Sequence, residues 1–119
     1  MAIDLDGTND YVSVADSATM DVTGTNSLAC WAFVDTLPTL NTLIAFMGRY
    51  RDDVSIGGVA LDMHNDAGTQ KVRYSSTVDI VSYTTTLTTG IWYHIAGVND
   101  GTNVLLYING AQVASAAAG

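Results

Sequence analysis

Hydrophobic and polar residues alternate along much of the chain, most clearly between Gly90 and Ala114. One side of this extended segment carries Trp92, His94, Ala96 and Val98, and the other carries Tyr93, Ile95 and Gly97. This period of two is typical of a β-strand. Two turn sequences follow, Asp100-Gly101 and Asn109-Gly110, and Asn-Gly favours a two-residue hairpin because both turn residues need positive φ. The segment therefore predicts three antiparallel strands joined by tight turns.

Two further features are predicted nearer the N-terminus. Ile3 and Leu5 alternate with acidic residues before a turn at 7–10, so Ala2–Asp6 and Tyr11–Val14 are expected to form a hairpin. Leu28–Leu37 carries apolar residues at both odd and even positions. This pattern predicts a central strand covered on both faces.

Short strands separated by turns are predicted through the middle of the chain. They are Thr42–Tyr50, Ser55–His64, Lys71–Ser76 and the threonine-rich Asp79–Leu87, which we expect at a sheet edge. No segment shows helical spacing. The predicted fold is therefore all-β, one domain over residues 1–119, built as a two-sheet antiparallel β-sandwich or jelly roll of roughly eight to ten short strands.

The charge composition supports this fold and restricts the partners. All 12 acidic residues are Asp, which suits turns, whereas Glu, which suits helices, is absent. A net charge of −8 argues against nucleic acid and against an anionic membrane surface. A solvated acidic surface is the first interpretation, and cation binding stays open.

The single cysteine and the hydropathy pattern give little information about the cellular compartment. Cys30 is the only cysteine, so no disulfide can form within the chain, and its apolar neighbours predict a buried thiol. The first residues lack the pattern of a signal peptide, and no apolar run reaches the roughly 18 residues of a membrane span. The chain is expected to be soluble.

Four blocks of the sequence resemble the concanavalin A-like, laminin-G-type jelly-roll domains. They are L-D-G-T-N-D-Y-V-S-V from Leu5, L-A-C-W-A-F-V from Leu28, G-I-W-Y-H-I-A-G-V-N-D-G from Gly90 and L-Y-I-N-G-A-Q-V-A from Leu106. The resemblance implies two curved antiparallel sheets with Trp92 and His94 packed between them. It implies no single function, because the fold carries lectins, adhesion modules, enzyme accessory domains and virion proteins.

One departure from this resemblance bears on assembly. Such domains usually continue past the Asn-Gly hairpin with a strand that carries an acidic residue, whereas this sequence ends at Gly119. An open sheet edge is the expected consequence, and Ala111–Ala118 has no charge or proline to protect it. We therefore predict a homo-oligomer or a larger assembly, with Ala2–Asp6 and Ala111–Ala118 at the contact.

Catalysis is not expected. Glycosidases with this jelly roll use two carboxylates, usually Glu, whereas Asp62 is the only acid expected within a sheet here. Neither histidine has an acid at a recognisable spacing, and Cys30 is expected in the core. A remnant of a glycoside hydrolase is the remote alternative.

Metal binding has one candidate. His94 is expected to be buried and neutral, and its distance in sequence from His64 excludes a zinc motif. Asp6, Asn9 and Asp10 cluster in the first turn and offer oxygen ligands for a structural Ca²⁺. The alternative is that these residues only form the turn.

The remaining candidates concern ligands and partners. Tyr50, Tyr83 and Tyr107 are the expected exposed rings, with Arg49 and Arg51 beside them, of a non-catalytic binding or adhesion module for glycans. The alternative is a structural component of an assembly such as a phage or virion decoration or fibre, and an extracellular or virion surface is the suspected location.

All four cationic residues fall within 49–73. Arg49, Arg51, Lys71 and Arg73 form either one basic patch or separate ion pairs with Asp52, Asp53 and Asp62.

Overall fold

The computed structural model describes residues 2–15, 17, 19, 24–49, 58–76 and 79–119. Within these residues eight antiparallel strands form two sheets of four, which confirms the predicted all-β sandwich. None of the described residues belongs to a helix long and apolar enough to cross a membrane.

Sheet A has the strand order β1-β6-β7-β8. These strands are β1 (Asn26–Phe33), β6 (Trp92–Asn99), β7 (Asn103–Ile108) and β8 (Ala111–Ala117). The last three are the predicted meander, and β1 joins it from far away in sequence. Sheet B has the order β2-β3-β4-β5, with β2 (Leu43–Arg49), β3 (Val59–Asp66), β4 (Thr69–Ser76) and β5 (Asp79–Thr84).

The turns of the meander have the predicted chemistry. Asn109 and Gly110 have φ values of 51° and 79°, as a two-residue hairpin turn with two positive φ angles requires. The Asp100 carboxylate accepts hydrogen bonds from the backbone N–H groups of Asn103 and Thr102 at 2.7 and 2.8 Å. These bonds to the charged form hold the pKa of Asp100 below its usual value.

The hydrophobic core lies between the inner faces of the two sheets. Sheet A contributes Ala32, Ile95, Val104 and Leu106, and sheet B contributes Leu61, Met63, Val72, Tyr74 and Val81. Cys30 packs against this cluster, and its partial burial raises the pKa of its thiol. Residues of one parity along each strand thus form the core, as period-two patterning predicts.

The packing of Tyr74 determines which face of β6 points toward the core. Its side chain is fully buried, and its ring lies against Gly97, where a Cβ atom would overlap the ring. Gly97 and Ile95 therefore face the core. The expectation that Trp92 and His94 pack between the sheets is wrong, and so is the expectation that His94 is buried, because the alternation of β6 places both on its outer face.

Two strand predictions near the N-terminus are also wrong. Residues 2–15 contain no strand, and Ile3, Leu5, Tyr11 and Val14 are exposed, since local alternation forms a strand only when another strand pairs with it. The strand at Leu28–Leu37 ends at Phe33 and is an edge strand of sheet A rather than a covered central one. Its outward apolar side chains are exposed.

Replacing Gly97 with Ala should destabilise the fold by about 1–3 kcal/mol, because the new methyl group must displace the ring of Tyr74. Ala96→Val, on the outer face of the same strand, is the matched control and should change stability by no more than about 0.5 kcal/mol. Urea unfolding midpoints measure both. Equal stability of Gly97→Ala and the wild type would show that Tyr74 does not pack on Gly97.

Candidate functional site

The two sheets differ sharply in charge. The four strands of sheet A contain no Asp, Lys or Arg, although the chain carries a net charge of −8. The strands of sheet B contain Arg49, Asp62, Asp66, Lys71, Arg73 and Asp79. The outer face of sheet A is therefore a neutral surface on an acidic protein.

Four aromatic side chains form a patch on this outer face. Trp31 of β1 is paired across the strands with His94 of β6, and Phe33 is paired with Trp92. The ring centroids of Trp31 and His94 are 5.3 Å apart with a T-shaped arrangement, and those of Phe33 and Trp92 are 5.4 Å apart and tilted. We call Trp31, Phe33, Trp92 and His94 the aromatic patch.

The patch is accessible to solvent. Trp31 is 66% exposed, Trp92 49% and Phe33 44%, while His94 is partly buried between its neighbours. Because β1 is an edge strand, no further strand among the described residues lies beside Trp31 and Phe33. Large aromatic side chains left in water on one face are typical of interaction sites rather than of ordinary protein surface.

A shallow open depression adjoins the patch. It is lined by Trp31 and His94 on one side and by the hairpin residues Asn109 and Gly110 on the other. Asn109 is held in place because its Oδ1 accepts the backbone N–H of His94 at 3.0 Å and its own N–H donates to the His94 carbonyl at 2.8 Å. The Asn-Gly turn thus places an exposed carboxamide next to the aromatic rings.

The three described residues of the predicted tyrosine and arginine site lie on three different strands. Tyr83 lies on β5, the edge of sheet B, whereas Tyr107 lies on the outer face of sheet A, with its hydroxyl 3.4 Å from Gln112 Oε1. Arg49 ends β2. Tyr50 and Arg51 lie outside the described residues. The role of these five residues in binding stays a prediction.

Lys71 and Arg73 both form ion pairs with aspartates of sheet B. Arg73 Nε and Nη2 donate to the two carboxylate oxygens of Asp62 at 2.8 and 3.1 Å, and Asp62 is only 1% exposed. Lys71 Nζ donates to Asp66 at 2.8 Å, and this contact lowers the pKa of Asp66. Arg73 therefore forms the expected ion pair with Asp62, whereas Lys71 pairs with Asp66, which was not among the expected partners.

The proposed calcium turn is compact. The N–H of Asp6 donates to Asp10 Oδ2 at 3.2 Å, and the N–H of Thr8 donates to Asp6 Oδ1 at 2.8 Å, so both carboxylates bond the backbone of the turn. Among the described residues no group of three or more His, Cys or Asp side chains could hold a metal ion. Calcium binding by Asp6, Asn9 and Asp10 stays a prediction.

A family model for laminin-G-type domains, described as the concanavalin A-like lectin/glucanases superfamily, matches residues 6–119. The chain therefore belongs to this family. Neither the search of curated proteins nor the search of solved structures finds a match. The family includes proteins named for sugar binding and for glucan cleavage, and it leaves the activity of this chain open.

The sequence pattern does not reveal the aromatic patch, because it predicts that Trp31, Phe33, Trp92 and His94 are core residues. One signal could have found it. Gly97 and Ile95 share the opposite face of β6 from Trp92, and a glycine within a strand marks a close approach by another group. That approach identifies the inner face, and the aromatic residues must then be on the outer one.

The Asp62–Arg73 pair should be essential for the stability of sheet B. Arg73→Met leaves the buried Asp62 carboxylate without its partner, at a cost of about 3 kcal/mol. The double variant Asp62→Leu/Arg73→Met should recover most of this loss, because no buried charge remains. Lys71→Met, which removes an exposed pair, is the control and should leave the urea midpoint nearly unchanged. Equal midpoints for Arg73→Met and Lys71→Met would contradict the assignment.

Proposed function

We propose that the chain is a non-catalytic binding module that binds neutral glycans on the outer face of sheet A. The main evidence for this proposal is the aromatic patch. Three of its large rings are exposed to solvent, and they lie on strands that contain no charged residue. Exposed aromatic rings can serve as stacking platforms, because the C–H groups on the apolar face of a sugar pack against the negatively polarised face of the ring.

The arrangement of the rings suits a ligand longer than one sugar. Trp31 and Phe33 are two residues apart on β1, and Trp92 and His94 are two residues apart on β6. Side chains two residues apart on a strand are separated by about 7 Å. Two rows of rings therefore follow one another along the strands, and successive sugar residues of an oligosaccharide can contact successive rows.

Polar groups beside the rings supply hydrogen bonds. The Asn109 carboxamide uses Oδ1 to accept the backbone N–H of His94, while none of the described residues accepts a hydrogen bond from its N–H₂ group. Sugar hydroxyls accept such hydrogen bonds, and a few well-placed polar groups beside an apolar surface are the usual source of orientation in a ligand site.

Charge favours a neutral ligand over an acidic one. The protein carries a net charge of −8, which repels a carboxylated or sulfated glycan from a distance. Sheet A offers no cationic side chain within its strands to bind such groups. Uncharged oligosaccharides carry no such electrostatic cost.

The composition of β1 and β6 supports a binding role rather than glycoside hydrolysis. Hydrolysis of the usual type needs two carboxyl groups on either side of the scissile bond. The strands that carry the patch contain none. Asp62, the acid considered at the sequence level, is buried in sheet B and bonded through both oxygens to Arg73.

An array of neutral and acidic oligosaccharides, followed by calorimetry, tests the proposal. Wild-type protein should bind neutral glycans, and Trp31→Ala or Trp92→Ala should each weaken binding about 30-fold, as expected when an aromatic anchor is removed. Tyr83→Ala, on sheet B, is the control and should bind like the wild type. Loss of binding in Tyr83→Ala with retention in Trp31→Ala would instead favour the tyrosine site predicted from the sequence.

A second candidate function is that of a structural subunit in an assembly such as a virion. The favouring observation is the outer edge of β8, an uncharged strand that pairs on one side only among the described residues. Stoichiometric recovery of the protein from purified particles, together with no binding on the array, would support this function over glycan binding.

A further inference from the structure

A polar side chain distinguishes one end of the aromatic patch from the other. Trp31, His94 and Asn109 form a row across the strands, because Trp31 pairs with His94 from β1 and Asn109 bonds the His94 backbone from the other side. Phe33 and Trp92 form the neighbouring row, about 7 Å further along the strands. Strand β7 ends before it reaches this second row. Asn109 therefore adjoins the first row alone.

The backbone of His94 fixes the position of the Asn109 carboxamide. Asn109 Oδ1 accepts the N–H of His94 at 3.0 Å, and the N–H of Asn109 donates to the His94 carbonyl at 2.8 Å. The side-chain oxygen is thus already used, whereas none of the described residues accepts a hydrogen bond from the N–H₂ group. Because Asn109 lines the depression, it offers a ligand there chiefly hydrogen-bond donors.

The two rings of the first row supply the apolar part of the same depression. The ring planes of Trp31 and His94 meet at 62° with their centroids 5.3 Å apart, so they form a corner rather than a flat platform. A methyl group in such a corner removes apolar surface of both rings from water. A neutral imidazole also has one ring nitrogen that accepts a hydrogen bond.

We infer that this depression binds the acetamido group of an N-acetylated amino sugar. The inference rests on the proposed glycan function and names the class of sugar. The acetamido carbonyl accepts from the Asn109 N–H₂ group, the methyl group packs on Trp31, and the acetamido N–H donates to the acceptor nitrogen of His94. Each part of the group thus meets a partner of matching chemistry.

A sugar with a hydroxyl group in place of the acetamido group matches the depression less well. A hydroxyl group donates as well as accepts, so it needs an acceptor such as an amide or carboxylate oxygen. Asn109 Oδ1 is bonded to the backbone of His94, and β1, β6 and β7 contain no Asp. Such a sugar also lacks the methyl group that would cover Trp31, which is 66% exposed.

Two trisaccharides of the same linkage test the inference, the trimer of N-acetylglucosamine from chitin and the trimer of glucose from cellulose. They differ in the acetamido group that replaces one hydroxyl group on each sugar. Calorimetry should show that wild type binds the N-acetylated trimer about 10-fold more tightly, as expected for one hydrogen bond and one methyl contact. The same trimer should shift the NMR signals of the Asn109 N–H₂ group and the Trp31 indole N–H.

Asn109→Asp removes the N–H₂ donor and keeps the rest of the turn. Asp retains the oxygen that accepts from His94, and like Asn it tolerates the positive φ of 51° at this position. This variant should bind the N-acetylated trimer about 10-fold more weakly than wild type and the glucose trimer no more weakly. Gln112→Glu makes the same amide-to-carboxylate change beside Tyr107, and as the matched control it should bind both trimers like wild type. Thermal melting confirms that both variants fold.

The possible failures are distinguishable. Equal affinities of wild type for the two trimers, or array hits that all lack an acetamido group, would overturn this inference and leave glycan binding in place. An unchanged preference in Asn109→Asp, or a loss of preference in Gln112→Glu as well, would overturn the role of Asn109. Absence of binding to every neutral glycan on the array would overturn the proposed function, and this inference with it.

Discussion

The packing of Tyr74 between the sheets is the constraint on which the rest of the structure depends. Its ring occupies the space that Gly97 leaves open, and its hydroxyl donates to Asn26 Oδ1. The amide nitrogens of Asn26 and Asn99 both donate to Ser76 Oγ at 2.9 and 3.0 Å. Three strands, β1, β4 and β6, are thereby joined through buried polar contacts, which leave a carboxamide or hydroxyl without a partner if the sheets shift.

Because side chains alternate between the two faces of a strand, the packing of Tyr74 also determines which residues of β6 lie on the surface. Once Gly97 faces Tyr74, Ile95 must also face inward, and Trp92 and His94 must face water. The pairing of β6 with β1 then places Trp31 beside His94 and Phe33 beside Trp92. The aromatic patch is therefore an outcome of core packing on the opposite face of the same strands, and its position is as well fixed as the core itself.

The sequence was sufficient for the fold class, for the meander and for its turns, because these depend on local alternation and on residues such as Asn109 and Gly110 that tolerate positive φ. The sequence was insufficient to predict which face of β1 and of β6 points toward the core, because both faces are apolar and hydrophobicity cannot distinguish them. The aromatic patch could not be predicted for the same reason. The predicted N-terminal hairpin is not formed, because alternation describes what a segment can do when paired, and residues 2–15 pair with none of the described strands.

The pairing of β1 with β6 also has a consequence for how the chain folds during synthesis. Trp31 and His94 are partners in the sheet although they are more than sixty residues apart in the sequence. At ribosomal rates of about 5–20 residues per second, Trp31 waits roughly 3–13 s before its partner is made. During that interval β1 is an unpaired apolar segment, and closing so long a loop is slow. The strand that carries half of the patch thus stays open to aggregation until β6 has been synthesised.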